Sequence, residues 1–165
     1  MSPTGKPEFP PLLSEPGFYP MSLRDIRQGC VDAFPLSPTR ADIMVGLETV
    51  VGRLTSGGII GHLWVDGSFM THKIDPEDTD LLLRLSRDFC LGANKTQLEA
   101  IRWYTVEDLK SLHHCHSFWW IEYPCDDPSY MQSEWSRAYW TRQYGFSRSD
   151  VRKGIAVIEL SGGAP

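Results

Sequence analysis

The residues whose spacing could support chemistry are two aspartates that follow a Gly-Ser dipeptide. Gly67 and Ser68 come after an apolar run, and Asp78 and Asp80 come before a second one. Side chains two positions apart on a strand project from the same face, so the two carboxylates should lie side by side. Two neighbouring carboxylates repel each other unless they are hydrated or bound to a cation.

A small-residue turn next to paired carboxylates adds groups that bind phosphate. The Ser68 hydroxyl and the neighbouring backbone N–H groups can donate to phosphate oxygens, while carboxylates bind hard cations such as Mg²⁺ or Mn²⁺. Thr71 and Lys73 follow, and Lys73 is either a point charge for a nucleotide phosphate or a solvated loop lysine. The pattern predicts metal-assisted phosphoryl or nucleotidyl transfer, and its alternative is a solvated hairpin with acidic edge residues.

The run from residue 64 to residue 81, WVDGSFMTHKIDPEDTDL, resembles the DNA polymerase beta-like nucleotidyltransferase superfamily. Within that superfamily it is similar to a minimal, single-domain bacterial family that carries Gly-Ser-Phe and then Pro-x-Asp-x-Asp. The similarity continues upstream over residues 16–54 and downstream from Tyr144 to Ile155. It therefore covers most of the chain.

This resemblance implies a site, a cofactor and partners. It implies Asp78 and Asp80 as catalytic ligands of Mg²⁺ or Mn²⁺, and Gly67, Ser68, Thr71 and Lys73 as the residues that bind the nucleotide. The donor would be a nucleoside triphosphate and the acceptor a protein or an RNA. Relatives of this kind often belong to toxin–antitoxin or phage-defence systems, so the same setting is expected here.

The chain departs from the family pattern at the third catalytic acid. The strand predicted at 115–122, CHSFWWIE, contains no aspartate, and His116 aligns with the missing carboxylate. Imidazole is a poor Mg²⁺ ligand. Asp66 is a second substitute. A catalytically degenerate binding protein (an antitoxin, immunity or regulatory partner) and a structural partner module therefore stay open as alternatives to an active enzyme.

Three other groups of residues have competing interpretations. The run His113-His114-Cys115-His116 contains zinc-ligand types, but only alternate residues of a strand share a face. The aromatic side chains of 118–146 could stack on bases, although core packing explains them better. The basic residues at 148–153 are interpreted as a solvated turn rather than a triphosphate clamp.

Composition places the chain among ordinary globular domains. A net charge of −5 argues against a large nucleic-acid footprint. No apolar run is long enough to span a membrane, the start of the chain lacks the apolar segment of a secretory signal, and the cysteines have no CxxC spacing. These features predict a protein of the bacterial cytoplasm.

Hydrophobic periodicity and capping residues predict an α+β domain, with a small mixed β-sheet packed by helices. Residues 1–20 are rich in proline and form an extended or mobile leader, and residues 21–165 form a single nucleotidyltransferase-like domain. The predicted strands are 59–66, 79–85, 115–122 and 154–160. The predicted helices begin at Ser22 and Ser37, at Thr96 and Thr105 with capping partners Glu99 and Asp108, and at Ser133.

Overall fold

The computed structural model of the protein describes residues 7–163, which fold into five strands and six α-helices. The strands are β1 (Gly17–Pro20), β2 (Ile60–Asp66), β3 (Thr79–Ser86), β4 (Cys115–Glu122) and β5 (Gly154–Ser161). The helices are α1 (Leu23–Arg27), α2 (Arg40–Ser56), α3 (Arg87–Gly92), α4 (Lys95–Val106), α5 (Leu109–His113) and α6 (Tyr130–Tyr144). A π-helical turn (Gln28–Asp32) continues α1, and a 3₁₀ turn (Ser68–Met70) follows β2.

The strands form one mixed sheet in the order β1-β5-β2-β3-β4. The pairs β1/β5 and β3/β4 are parallel, whereas β2 is antiparallel to both β3 and β5. Helices cover both faces of this sheet, which confirms the predicted α+β class. None of the helices within 7–163 is long and apolar enough to cross a membrane.

Alternation along the strands separates two cores. On β3, Leu81 and Leu83 face the larger core, which also contains the apolar side of α2 and residues from α1, α4 and α5. Leu82 faces the opposite side, where the smaller core lies between the sheet and the aromatic residues of α6. The even-numbered residues of β3, among them Asp80, therefore point to the face that α6 partly covers.

The aromatic residues of 118–146 divide between the smaller core and more exposed positions. Phe118, Trp120, Trp140 and Tyr144 belong to the smaller core, so core packing explains them as predicted. Trp119, Trp135 and Tyr139 remain exposed.

The predicted boundaries agree with the structure where the local signal is strong. The Ser22 cap with Asp25 is present, and α2 and the four predicted strands lie within two residues of their expected limits. The caps of α4 and α5 were predicted wrongly. Asn94, with Gln97, caps α4 in place of Thr96, and Asp108 itself caps α5.

Two further boundaries differ for physical reasons. Thr105 does not begin a helix, because its hydroxyl donates to the Ile101 carbonyl inside α4. Helix α6 begins before Ser133, whose buried hydroxyl accepts a hydrogen bond from the Tyr123 backbone.

Residues 7–20 of the predicted leader are integrated into the domain, and residues 1–6 lie outside the described part. Strand β1 pairs in parallel with β5. The backbone N–H of Leu12 donates to the Met70 carbonyl, and Leu12 and Leu13 pack against the larger core. The extended conformation agrees with the proline-rich sequence, but these residues contribute a strand and buried apolar surface.

Candidate functional site

The Gly-Ser turn lies directly against Asp80. Strand β2 ends at Asp66, and Gly67 then takes a φ of 85°, a conformation that side-chain-bearing residues rarely adopt. A Cβ atom on Gly67 would lie 2.8 Å from Asp80 Oδ2 and 3.0 Å from the Asp80 backbone nitrogen. Glycine is therefore required here for two reasons, and it brings the turn into contact with the carboxylate.

Strand register aligns Asp80 with two other polar residues. Asp66 on β2 is the antiparallel partner of Asp80, and His116 on β4 is its parallel partner. His116 Nδ1 lies 3.4 Å from Asp80 Oδ1. His116, which the family resemblance aligns with the third acid, therefore lies beside Asp80 on the neighbouring strand.

Each of the three aspartates contacts a basic side chain. Lys153, just before β5, forms an ion pair with Asp66, and the two side chains are only 9% and 13% exposed. Lys110 of α5 lies 2.7 Å from Asp78 Oδ2. The carboxylates of Asp66 and Asp78 are therefore paired with ammonium groups, and Asp80, the third member of this acidic row, contacts the His116 imidazole.

Burial and mutual repulsion make two of these carboxylates weaker acids than usual. Burial raises the pKa of Asp66 from 3.8 to about 6, although the Lys153 ammonium acts in the opposite direction. Burial, and then the charge of Asp78, raises the pKa of Asp80. The hydroxyl of Tyr144 is buried without a hydrogen-bond partner among the described residues, and burial together with the charge of Asp80 raises its pKa.

Ser68 and Thr71 are held by the local turn. The Ser68 carbonyl accepts hydrogen bonds from the backbone N–H and the hydroxyl of Thr71. In the described chain, the ion pairs of Asp66, Asp78 and Asp80 involve Lys153, Lys110 and His116, so Lys73 does not join the acidic row. The nucleotide-binding roles of Gly67, Ser68, Thr71 and Lys73 stay predictions.

Arg40, at the start of α2, organises the loop that contains these residues. Its side chain is fully buried, and its guanidinium donates to five backbone carbonyls at 2.5 to 3.2 Å. The acceptors are Cys30, Phe69, Thr71, Lys73 and Ile74. Because a guanidinium has five N–H donors, its hydrogen-bonding capacity is filled by this loop and the π-helical turn.

Sequence analysis missed Arg40, and it missed the role of Lys153. The interpretation of Lys153 as part of a solvated turn is wrong, because the residue is buried and paired with Asp66. A lysine immediately before the apolar strand β5 was the available signal. Arg40 had no comparable signal, since arginine in the first turn of a helix is ordinarily solvated.

The histidine and cysteine run does not form a zinc site. Cys115 is buried in the larger core, while His116 faces the acidic row on the opposite side of β4. His114 precedes the strand in a left-handed conformation. Within residues 7–163, no group of three His, Cys, Asp or Glu side chains has the positions needed to bind one metal ion.

Comparison with known proteins gives a family but no activity. No curated protein matches the chain, and no solved structure matches it. A family model described as "Family of unknown function (DUF6932)" matches residues 7–159. The chain therefore belongs to the DUF6932 family of unknown function.

Proposed function

We propose that this protein is a metal-dependent nucleotidyltransferase that moves a nucleoside monophosphate from a triphosphate to a protein or RNA acceptor. The observation that carries the proposal is the contact between the Gly67 turn and Asp80, with Asp78 two residues earlier. Carboxylates for a cation and a small-residue turn for phosphates then meet at one end of β3.

The donor set fits Mg²⁺ or Mn²⁺. Asp78 and Asp80 offer hard oxygen ligands, and their side chains are 22% and 36% exposed, so an ion in solution can reach them. Burial raises the pKa of Asp80, and the charge of Asp78 raises it further, a repulsion that a shared cation would relieve. His116 lies beside Asp80, but in the described part of the chain Asp78, Asp80 and His116 are not placed to hold one ion together, so the two carboxylates would share the ion with water.

Each residue of the site would then have its own role in the reaction. Asp78 and Asp80 would hold the metal, which would neutralise charge at the α-phosphate and lower the pKa of the attacking hydroxyl. Lys110 would have to release Asp78. Ser68 and the adjacent backbone N–H groups would contact the β- and γ-phosphates, with Lys73 compensating their charge. Arg40 would keep that loop in place through its five carbonyl contacts.

A second candidate function is favoured by the ion pairs. Asp66 and Asp78 are already paired with lysines, and Asp80 contacts His116, the residue that the family resemblance aligns with the third acid. A protein of this fold that no longer turns over its substrate has no need of a metal to neutralise its acids. In that case the same surface would bind a nucleotide or a regulatory partner without transferring a phosphate group.

Binding and transfer can be tested separately. Thermal melts with each of the four ribonucleoside triphosphates and Mg²⁺ or Mn²⁺ should show a rise in Tm, because a ligand that binds only the folded state stabilises it. The Asp78→Asn/Asp80→Asn variant should lose this rise. The matched control is Glu107→Gln/Asp126→Asn, which removes two exposed carboxylates outside the site and should keep it.

Incubation with triphosphates labelled at the α-phosphate then distinguishes the two functions. Transfer of label to the protein itself, to added protein or to RNA would support the enzyme, whereas a Tm rise without transfer would support the binding protein. An equal Tm rise in wild type and in the double aspartate variant would contradict the metal assignment.

A further inference from the structure

The two edges of the sheet differ in how well they are protected against pairing with another strand. Strand β1 has only four residues and ends at Pro20, which has no N–H group to donate. Strand β4 has eight residues in unbroken register with β3, and it contains no bulge, proline or lysine. In the described part of the chain, β4 pairs with β3 alone. Native proteins usually protect an edge strand by such devices, so β4 is open to a further strand.

The outward backbone groups of β4 belong to its odd-numbered residues. The Thr79 N–H donates to the His114 carbonyl where the parallel ladder with β3 begins. This phase of the ladder directs the even-numbered residues of β4 towards β3. Ser117, Trp119 and Ile121 therefore direct their N–H and C=O groups away from the sheet. Outside the sheet, no described backbone group hydrogen-bonds to the backbone of these three residues.

The charges on β4 favour an antiparallel copy of the same strand. The net charge of −5 opposes association of two chains in general, but the acid of β4, Glu122, is already paired with Arg84. Both contacts of Arg84 use Glu122 Oε2, at 2.5 and 3.0 Å, which leaves Oε1 for another donor. His116 lies near the other end of the strand and directs Nδ1 towards Asp80, which leaves Nε2 for another partner. An antiparallel copy brings these two ends together.

Exposed aromatic side chains surround the same edge. Trp119 is 48% exposed in the middle of β4. On α6, Thr141 lines the hollow between this helix and Phe18 of β1. Tyr139 lies nearly opposite Thr141 around the helix, and Trp135 is one turn before Tyr139, so both are on the β4 side. They are 56% and 75% exposed, which is apolar surface that a protein placed against β4 would cover.

We propose that β4 pairs with β4 of a second copy of this chain, antiparallel about a two-fold axis at Trp119, so that the two sheets join into one. A two-fold interface of this kind uses the same surface on both copies. In this register Trp119 lies opposite its own copy, and Ser117 lies opposite Ile121 of the second copy. His116 lies opposite Glu122 of the second copy in a non-hydrogen-bonded pair, where side chains are closest.

The inference does not rest on the proposed nucleotidyl transfer. The outward backbone groups and Trp119 carry it, and neither the aspartates of the acidic row nor the Gly67 turn takes part. The Asp78→Asn/Asp80→Asn variant should therefore dimerise as wild type does. Failure of the nucleotidyltransferase proposal would leave this result unaffected.

Sedimentation equilibrium of the full chain tests the assembly. Between about 1 and 200 µM, the mass of wild type should rise to twice the chain mass of 18.7 kDa. Trp119→Lys would place two ammonium groups against each other at the axis, so it should raise the dimer Kd at least about tenfold. The matched control is Val151→Lys, at a 62% exposed position before β5, which should dimerise as wild type does. Circular dichroism checks that both variants fold.

Disulfide cross-linking tests the register without adding charge. In a background of Cys90→Ser/Cys125→Ser, Trp119→Cys should form a covalent dimer on mild oxidation. Hydrogen-bonded antiparallel partners have Cα atoms about 5.5 Å apart, which a disulfide can span. Ser117→Cys should not cross-link to itself, but it should cross-link to Ile121→Cys when the two proteins are mixed. Val151→Cys is the control and should stay monomeric on denaturing gels.

Three outcomes would overturn the inference. The first is a monomer at every concentration, which would leave the β4 edge to a strand of a different protein. The second is a Trp119→Lys variant that dimerises as tightly as wild type, which would place the interface elsewhere. The third is self-cross-linking of Ser117→Cys that is faster than that of Trp119→Cys, which would contradict the two-fold axis at Trp119.

Discussion

Lys153 and Asp66 form a buried ion pair that joins the start of β5 to the end of β2, next to the Gly67 turn. Asp66 is also the direct cross-strand partner of Asp80. The pair therefore fixes the carboxylate nearest to the proposed metal ligands and balances its charge. Its two residues are 87 positions apart in sequence and have no local pattern in common.

The first prediction is that removing one partner of the Asp66–Lys153 ion pair strongly lowers the free energy of unfolding. Lys153→Met would leave the Asp66 carboxylate buried without a counter-charge, which costs about 3–5 kcal/mol in comparable cases. Asp66→Asn/Lys153→Met should recover part of that loss. Urea unfolding of both variants measures the free energies.

The control for this experiment is a surface ion pair. Lys95 lies 3.9 Å from Glu99 on α4, and both side chains are well exposed. Lys95→Met should cost less than about 1 kcal/mol. A Lys153→Met variant that loses no more stability than Lys95→Met would contradict a structural role for the buried pair.

The second prediction concerns the pH dependence of stability. The pKa of Asp66 is raised from 3.8 to about 6, so the folded state binds this proton more tightly than the unfolded state. The contribution of Asp66 to the free energy of unfolding is therefore full below about pH 4 and is lost as the pH rises through about 6.

A ¹³C NMR titration of the carboxyl carbons measures the pKa of Asp66 directly. Unfolding experiments between about pH 4 and pH 7 should show a steeper fall in stability for wild type than for Asp66→Asn/Lys153→Met, in which the group is absent. An Asp66 pKa below 4 would show that the Lys153 ammonium outweighs burial.

Local patterns explain why much of the fold could be predicted. The apolar residues of α2 recur with helical spacing, and the four predicted strands end at charged, glycine or proline positions that interrupt them. The position of Asp80 near Gly67 could be predicted from the sequence, because the two residues lie at facing ends of neighbouring strands joined by a short loop. The family match gives no independent test of the chemistry.

Tertiary contacts explain what could not be predicted. Strand β1 has only four residues and pairs with β5, which is more than a hundred residues away along the chain, so no local pattern predicts the pairing. Arg40 is buried because a distant loop offers it five carbonyls. At α4, Asn94 and Thr96 are both acceptable caps, and the structure has the reciprocal capping box of Asn94 with Gln97.

The third prediction concerns the contribution of Arg40 to stability. Arg40→Met would remove five hydrogen bonds and leave buried carbonyls unpaired, so it should cost at least about 3 kcal/mol. Arg40→Lys should also destabilise, since an ammonium has only three donors. Backbone amide exchange should accelerate in residues 69–74 more than in β3.

Arg102→Met on the exposed side of α4 is the matched control and should change stability by less than about 0.5 kcal/mol. If Arg40→Met unfolds with wild-type stability, the carbonyl contacts do not hold the loop. Uniform acceleration of exchange across the protein would instead mean that Arg40 supports the whole core.

The fourth prediction concerns the start of the chain. A mobile leader could be removed at a cost below about 1 kcal/mol. Because Leu12 packs against the core and donates to the Met70 carbonyl, we expect deletion of residues 1–12 to cost more than that. A truncated protein with wild-type urea midpoint and slope would show that these contacts contribute little.

The last prediction concerns His116, whose Nδ1 lies 3.4 Å from Asp80 Oδ1 and whose side chain is 46% exposed. His116→Asp would place a third carboxylate directly opposite Asp80 on β4, and like charges in that arrangement cost up to about 1 kcal/mol. Without metal the Tm should therefore fall by about 2–4 °C. Mg²⁺ should restore it, because a third hard ligand raises affinity for the ion.

The control is His62→Asp, which puts the same new charge on an exposed position of β2 opposite Arg84. It should show no response to Mg²⁺ beyond that of wild type. Melts of the three proteins with and without Mg²⁺ separate the outcomes, since only a carboxylate that faces Asp78 and Asp80 can share an ion with them. Destabilisation of His116→Asp that Mg²⁺ does not relieve would refute the alignment of His116 with the third catalytic acid.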